Sequence, residues 1–330
     1  MANVDTQTTG FAIDERPLWR QILPLPDRRS YLVYFLMLAC FGLQSILFWG
    51  GGFSIQADRL LVNLVGPIVA LLSGMLFRRA GWARTGASIE MLGLMGLIGW
   101  TLLLVQYPLA AVSIGQPDLL LLAADKALGF DWLSFARHFQ GPHWTAVLMT
   151  IYASMRWEFC VIPFALSFTD RIDRAWSFVT ASFIAIILCV APFPFFAARG
   201  LYVGCGLRSP DIKVIEVTCD YGRTIVAVHD HGVRAIETWM TVGLVSFPSF
   251  HVAAAILMSW ALWPLRFARL PVVTWNSIMC IGAVVMAGHY FIDVLGGAIV
   301  AGLSLPAVRY LLARANRSAG DFCAAPMPAT

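Results

Sequence analysis

The sequence predicts an all-α fold, a polytopic membrane helical bundle of about eight transmembrane helices, and three observations lead there. Of the 330 residues, 59% are apolar and only 13% charged, with a mean hydropathy of +0.73, whereas soluble domains average about 25% charged. Eight apolar runs reach or approach the roughly 17–25 helical residues that a hydrocarbon core requires. Arginines fall in alternate short loops, the bias that marks cytoplasmic connections.

In chain order, residues 1–30 form a polar, acid-bearing cytoplasmic arm, so the first apolar run is read as a retained helix and not a cleaved signal. The runs are Tyr31–Gly50, Leu60–Phe77, Met91–Val112, Trp144–Phe168, Ala175–Ala197, Val245–Trp263, Val272–Gly288 and Tyr290–Leu312. Residues 31–87 thus supply two helices, residues 88–312 a six-helix core with an outer loop at 199–243, and residues 313–330 a cytoplasmic tail. Placing both termini in the cytoplasm makes every short inner loop basic, with Arg78, Arg79 and Arg84, then Arg171 and Arg174, then Arg266 and Arg269. The net charge of +4 therefore reflects orientation in the membrane and makes no case for nucleic-acid binding.

Between the third and fourth runs, QPDLLLLAADKALGFDWLSFARHFQGPH is too polar to span but has apolar residues at helical spacing, so it is expected to lie along the outer interface. In the outer loop, alternation in DIKVIEV and RTIVAVH predicts a small hairpin. Cys205 and Cys219 share that loop and can pair in an oxidising compartment, two separate thiols being the alternative. His229 and His231 would share one face of an extended strand, as a metal pair does; no third ligand accompanies them, and a solvated loop is the preferred reading. Arg156 and Glu158, inside the fourth run, are read as pairing with other helices, lining of a lipid entrance being the alternative.

The chemistry concentrates in two short stretches. MAGHYFIDVLGG puts His289 and Asp293 one helical turn apart on one face, near the start of the last run. An aspartate at mid-membrane costs roughly 2.5–3.5 kcal/mol on insertion scales, so its presence asks for a role. VSFPSFHVAAA opens the sixth run with Pro248, Ser249, Phe250 and His251. On the charge-derived topology both stretches lie at the outer face, together with Arg199 at the end of APFPFFAARG. For a phosphate ester each part has a use. Pro248 suits a first helical turn, whose amides at Ser249 and Phe250, with the Ser249 hydroxyl, form an anion site. Asp293 can fix the tautomer of His289 and leave the other nitrogen as nucleophile. His251, protonated, can donate to a leaving oxygen.

These residues resemble the type 2 phosphatidic acid phosphatase superfamily. Pro248-Ser249-Phe250-His251 is similar to its Pro-Ser-Gly-His motif, and His289 to Asp293 to the end of its third motif, His-x3-Asp. The likeness spans roughly Met91 to Leu312, with two extra helices ahead. It implies a phosphohistidine at His289, an orienting Asp293 and an acid at His251, with no metal or other cofactor. The family's Ser-Arg before the second histidine is replaced by Gly282 and Ala283, and its Lys-x6-Arg-Pro is not intact. Arg199, Arg223 and Arg234 are the candidates to supply the missing positive charge. FPSFH and His289-Tyr290 through Asp293-Val294 are similar to the inositolphosphotransferase-like branch, which includes inositol phosphorylceramide synthases. The expected activity is cleavage of a membrane phospholipid or other lipid phosphate at the periplasmic or lumenal face, with transfer to water or a lipid alcohol. The alternative is a non-catalytic protein that binds or moves phospholipid through the same cavity.

Overall fold

A computed structural model describes residues 30–139, 141–206 and 219–324. It is almost entirely helical. The helices are α1 (Tyr31–Gly50), α2 (Ala57–Arg79), α3 (Ala83–Ala111), α4 (Asp118–Ala127), α5 (Trp132–Arg137), α6 (Pro142–Ala153), α7 (Met155–Phe168), α8 (Ile172–Val190), α9 (Gly200–Val203), α10 (Asp220–His229), α11 (Phe250–Leu262), α12 (Arg269–Ala287) and α13 (Phe291–Ala324). Two two-residue strands, β1 (Ser54–Ile55) and β2 (Ala235–Ile236), pair in parallel with Ser54 opposite Ala235 and tie the loop after α1 to the segment after α10. Among the described residues six helices are long and apolar enough to cross a membrane, seven if the bent pair α6–α7 counts as one span.

Helix α3, at 29 residues, is the longest of the early spans. It buries Met91, Leu94, Ile98, Leu102 and Val105 at helical spacing, and it packs against α7 and α8. Helices α1 and α2 leave most of their surface exposed, as lipid-facing helices do. They are joined to α3 by a buried polar group: Glu90 of α3 receives a hydrogen bond from Tyr34 of α1 at 2.6 Å and pairs with Arg78 of α2 at 2.7 Å. An ionised side chain in a bundle needs such partners, and here they come from two other helices.

Several elements depart from the expectations. The fourth run is broken at Ser154 by 46°, where Ser154 hydrogen-bonds back to the Ile151 carbonyl and receives Trp275 of α12. The sixth run becomes helical only at Phe250 and is 13 residues long, about 20 Å, which is shorter than a hydrocarbon core of about 30 Å. Pro248 stands before the helix, preceding the N-cap Ser249, and not in its first turn; the Phe247–Pro248 peptide is cis. RTIVAVH belongs to helix α10, not to a hairpin. Its buried residues Gly222, Ile225 and Val228 recur at three-residue spacing, and packing on α3 selects that period over the alternation. The other expected strand, DIKVIEV, lies outside the described residues. The last helix runs on to Ala324 through the segment read as a tail.

Candidate active site

Helices α11 and α13 cross closely enough to bring the two motifs together, and glycine permits it. A Cβ at Gly297 would sit 2.4 Å from the Ser249 carbonyl oxygen, so any larger residue would drive the helices apart. The crossing is stitched by the Ser249 amide, which donates to the Asp293 carbonyl at 3.0 Å. Gly288, at φ 67°, ends α12 in the left-handed conformation. The chain thereby reverses tightly and presents His289 just before α13 begins.

His289 Nδ1 lies 3.0 Å from Asp293 Oδ2, with both side chains buried. That oxygen also accepts from the Ser246 hydroxyl at 2.6 Å and the Tyr290 amide at 3.1 Å. Its aim is thus fixed by three donors. With Nδ1 turned to the carboxylate, the Nε2 lone pair of a neutral His289 remains for chemistry. Facing it is His251, its ring centroid 6.4 Å from that of His289. His251 stacks on Tyr152 of α6 at 4.1 Å between centroids, with the Tyr152 hydroxyl 3.4 Å from Nδ1. Both histidines line a cavity of about 440 Å³ with Tyr152, Tyr221, Ser246 and Phe250 among its walls. Burial pushes the Tyr221 phenol well above its ordinary value, with the negative charge of Asp293 adding to the rise. It stays a neutral donor beside Ser246.

The other expected site residues fare differently. Phe250 lines the cavity and stacks parallel to Phe159 of α7. The Ser249 hydroxyl is buried without a hydrogen-bond partner and is not part of the described lining. None of Arg199, Arg223 and Arg234 is among the described lining residues either. Arg199 pairs with Asp230 at 2.6 Å. A hydrogen bond from His229, and the Arg199 charge beside it, hold that carboxyl below the usual range. Arg223 pairs with Asp220 at 3.6 Å and is half exposed. Arg234 donates to the Val228 and Val233 carbonyls and lies over the Phe53 ring. Each is taken up by a nearby acceptor that is closer to hand than the cavity. Cys205 and Cys219 are not joined: the Cys205 thiol lies instead 3.4 Å from the Tyr290 hydroxyl. His229 reaches the Ser113 carbonyl through Nε2 at 3.1 Å.

Where the superfamily has an arginine before the second histidine, space is short. A Cβ at Gly282 would lie 3.2 Å from the Leu148 carbonyl of α6, and Ala283 is fully buried. Glu158 pairs across helices as expected, receiving Asn276 of α12 at 3.2 Å. Arg156 instead edges an apolar cavity of about 330 Å³ that shares Met155, Ile186 and Phe250 with the histidine cavity.

The sequence reading passed over Tyr152, Tyr221 and Ser246. Ser246 stands two residues before Pro248 in a stretch already singled out, and its spacing to His251 was the available signal. Tyr152 carries no local signal, since tyrosines in membrane helices are so often interface anchors.

Fold and site together define a class: a polytopic helical membrane protein with a histidine pair and an aspartate converging in a buried cavity at the ends of its core helices. A family model described as the PAP2 superfamily matches residues 119–307, more than half of the chain. The chain belongs to the PAP2 superfamily. Membership supports a phosphatase-type enzyme with a lipid phosphate partner. Searches of curated proteins and of solved structures return no match.

Proposed function

We propose that this protein is a membrane-embedded lipid phosphatase or phosphotransferase of the inositolphosphotransferase-like branch, working at the outer membrane face through a phosphohistidine. The observation that carries the reading is the His289–Asp293 pair, 3.0 Å apart, braced by Ser246 and facing His251 across one cavity. Nε2 of His289 attacks phosphorus; the phosphorus–oxygen bond to the leaving group breaks as the nitrogen–phosphorus bond forms. His251 gives its proton to the departing oxygen. Asp293 favours the cationic imidazole that results, as an orienting carboxylate does. In the second half, water or a lipid alcohol attacks phosphorus, its proton passes to His251, and His289 is released neutral. No step requires a metal.

Tyr152 and Tyr221 offer neutral donors toward a phosphoryl oxygen, and the apolar cavity beside Phe250 suits a lipid chain. The test is turnover by the purified protein, without added metal, of dioctanoyl phosphatidic acid, phosphatidylinositol and phosphatidylcholine, with and without diacylglycerol or ceramide as acceptor. Release of phosphate or headgroup, with an acid-labile phosphoenzyme, is expected. Lipid binding without turnover or phosphoenzyme would support the non-catalytic alternative. The outer orientation is tested by impermeant thiol labelling: His231→Cys, in an exposed outer loop, should react from outside and Thr169→Cys should not.

A further inference from the structure

We propose that Asp118 and Asp125, on the interfacial helix α4, are positioning residues that hold the three-residue segment between His289 and Asp293 in its reactive shape. The two aspartates are seven residues apart, two helical turns, and so share one face of α4. Both are buried, at 1% and 0% exposure. Asp125 Oδ2 accepts from the Phe291 amide and Oδ1 from the Ile292 amide, each at 2.8 Å. These are free donors of the first turn of α13, and a side chain from another helix caps them. Asp118 Oδ1 accepts from the Tyr290 hydroxyl at 2.9 Å and from the Gly200 amide at 2.8 Å, while Oδ2 takes the Arg199 amide at 3.1 Å.

Tyr290, Phe291 and Ile292 are therefore each gripped by α4, and they are the residues that set the spacing of His289 to Asp293. Phe130 stacks on Phe291 at 4.7 Å, and Trp132 donates to the Val284 carbonyl near the end of α12 at 3.2 Å. The interfacial segment thus fastens both sides of the turn that carries the nucleophile. Burial raises the Asp125 carboxyl against the lowering effect of the two amides. Two such carboxylates would be costly decoration for an interfacial helix that only anchored the chain. Neither is among the described residues that line the cavity, and both hold the segment that joins His289 to Asp293.

The inference rests on the reading of His289 as nucleophile, and the experiment separates the two. Full-length Asp125→Asn, Asp125→Ala and Tyr290→Phe are assayed on whichever of the three dioctanoyl lipids the unaltered protein turns over fastest, with His289→Ala alongside. For Asp125→Ala, kcat per folded molecule should fall about 10²-fold, as a displaced reacting group does, with KM within about twofold. Asp125→Asn, which keeps one acceptor oxygen, should recover part of the loss. Tyr290→Phe should fall less than Asp125→Ala. Combined with Asp293→Asn, the Asp125→Ala loss should be much less than multiplicative, because both act on one imidazole. Independently of turnover, amide exchange in the peptide covering 288–294 should quicken at least about tenfold in Asp125→Ala while α3 keeps its protection. Wild-type kcat, a loss confined to KM, full multiplicativity with Asp293→Asn, or unchanged exchange at 288–294 would overturn the positioning role while leaving His289 intact. Full activity in His289→Ala would instead remove the reading on which it rests.

Discussion

Two buried carboxylates lie near opposite ends of the bundle and are used in opposite ways. Glu90 and Asp293 are both 0% exposed. Glu90 divides its partners between its two oxygens, Tyr34 on Oε1 and Arg78 on Oε2, and the partners come from two other helices, α1 and α2. Asp293 gathers His289, Ser246 and the Tyr290 amide on Oδ2, while Oδ1 has no hydrogen-bond partner. The first arrangement ties three helices together through a phenol and a charge pair. The second is one-sided and holds a titratable base, His289, that lines a cavity. Burial and ionisable chemistry are common to both, so neither property alone marks a site. What distinguishes them is whether the partner can itself react and whether space lies beside it.

Substitutions sharpen that contrast, and His289→Ala should have the largest effect. Turnover and any acid-labile phosphoenzyme should vanish together, measured by phosphate or headgroup release and acid-quenched labelling. Asp293→Asn should follow, with kcat reduced roughly 10²–10⁴-fold by loss of the favoured tautomer and the thermal midpoint nearly kept. His251→Ala should slow a lipid alkoxide leaving group by roughly 10²–10⁴-fold and an activated aryl phosphate far less, since the latter needs no proton. Equal losses on both would deny it the acid's role.

Glu90→Gln should invert the pattern. Breaking a buried pair is expected to destabilise by about 3–5 kcal/mol, read as a lowered thermal midpoint, while kcat per folded molecule stays within about twofold. A large kcat loss there would erase the distinction between the two carboxylates. Arg199→Ala should have the smallest effect on the chemistry, a few-fold at most, because its guanidinium is engaged by Asp230. A loss above about 10²-fold would return it to the phosphate.

The sequence by itself determined the class of fold and singled out three side chains, His251, His289 and Asp293, that the structure brings together. Apolar runs of membrane length admit only helices that satisfy their own backbone, and four residues keep a histidine within reach of an aspartate, here across the turn that leads into α13 and not along the helix as expected. Local spacing sufficed for His289 and Asp293, and the helix-opening stretch for His251. What needed long-range contact was out of reach. Whether RTIVAVH is strand or helix was decided by packing against α3. Whether Arg199 meets a phosphate or Asp230 depends on a residue 31 positions away. Tyr152 meets His251 across 99 residues, and Asp125 meets Phe291 across 166. Side-chain type and spacing fix what a residue can do along one helix. Which helices cross, and therefore which carboxylate becomes a structural tie and which an orienting group, is settled only when close approaches such as that at Gly297 are made.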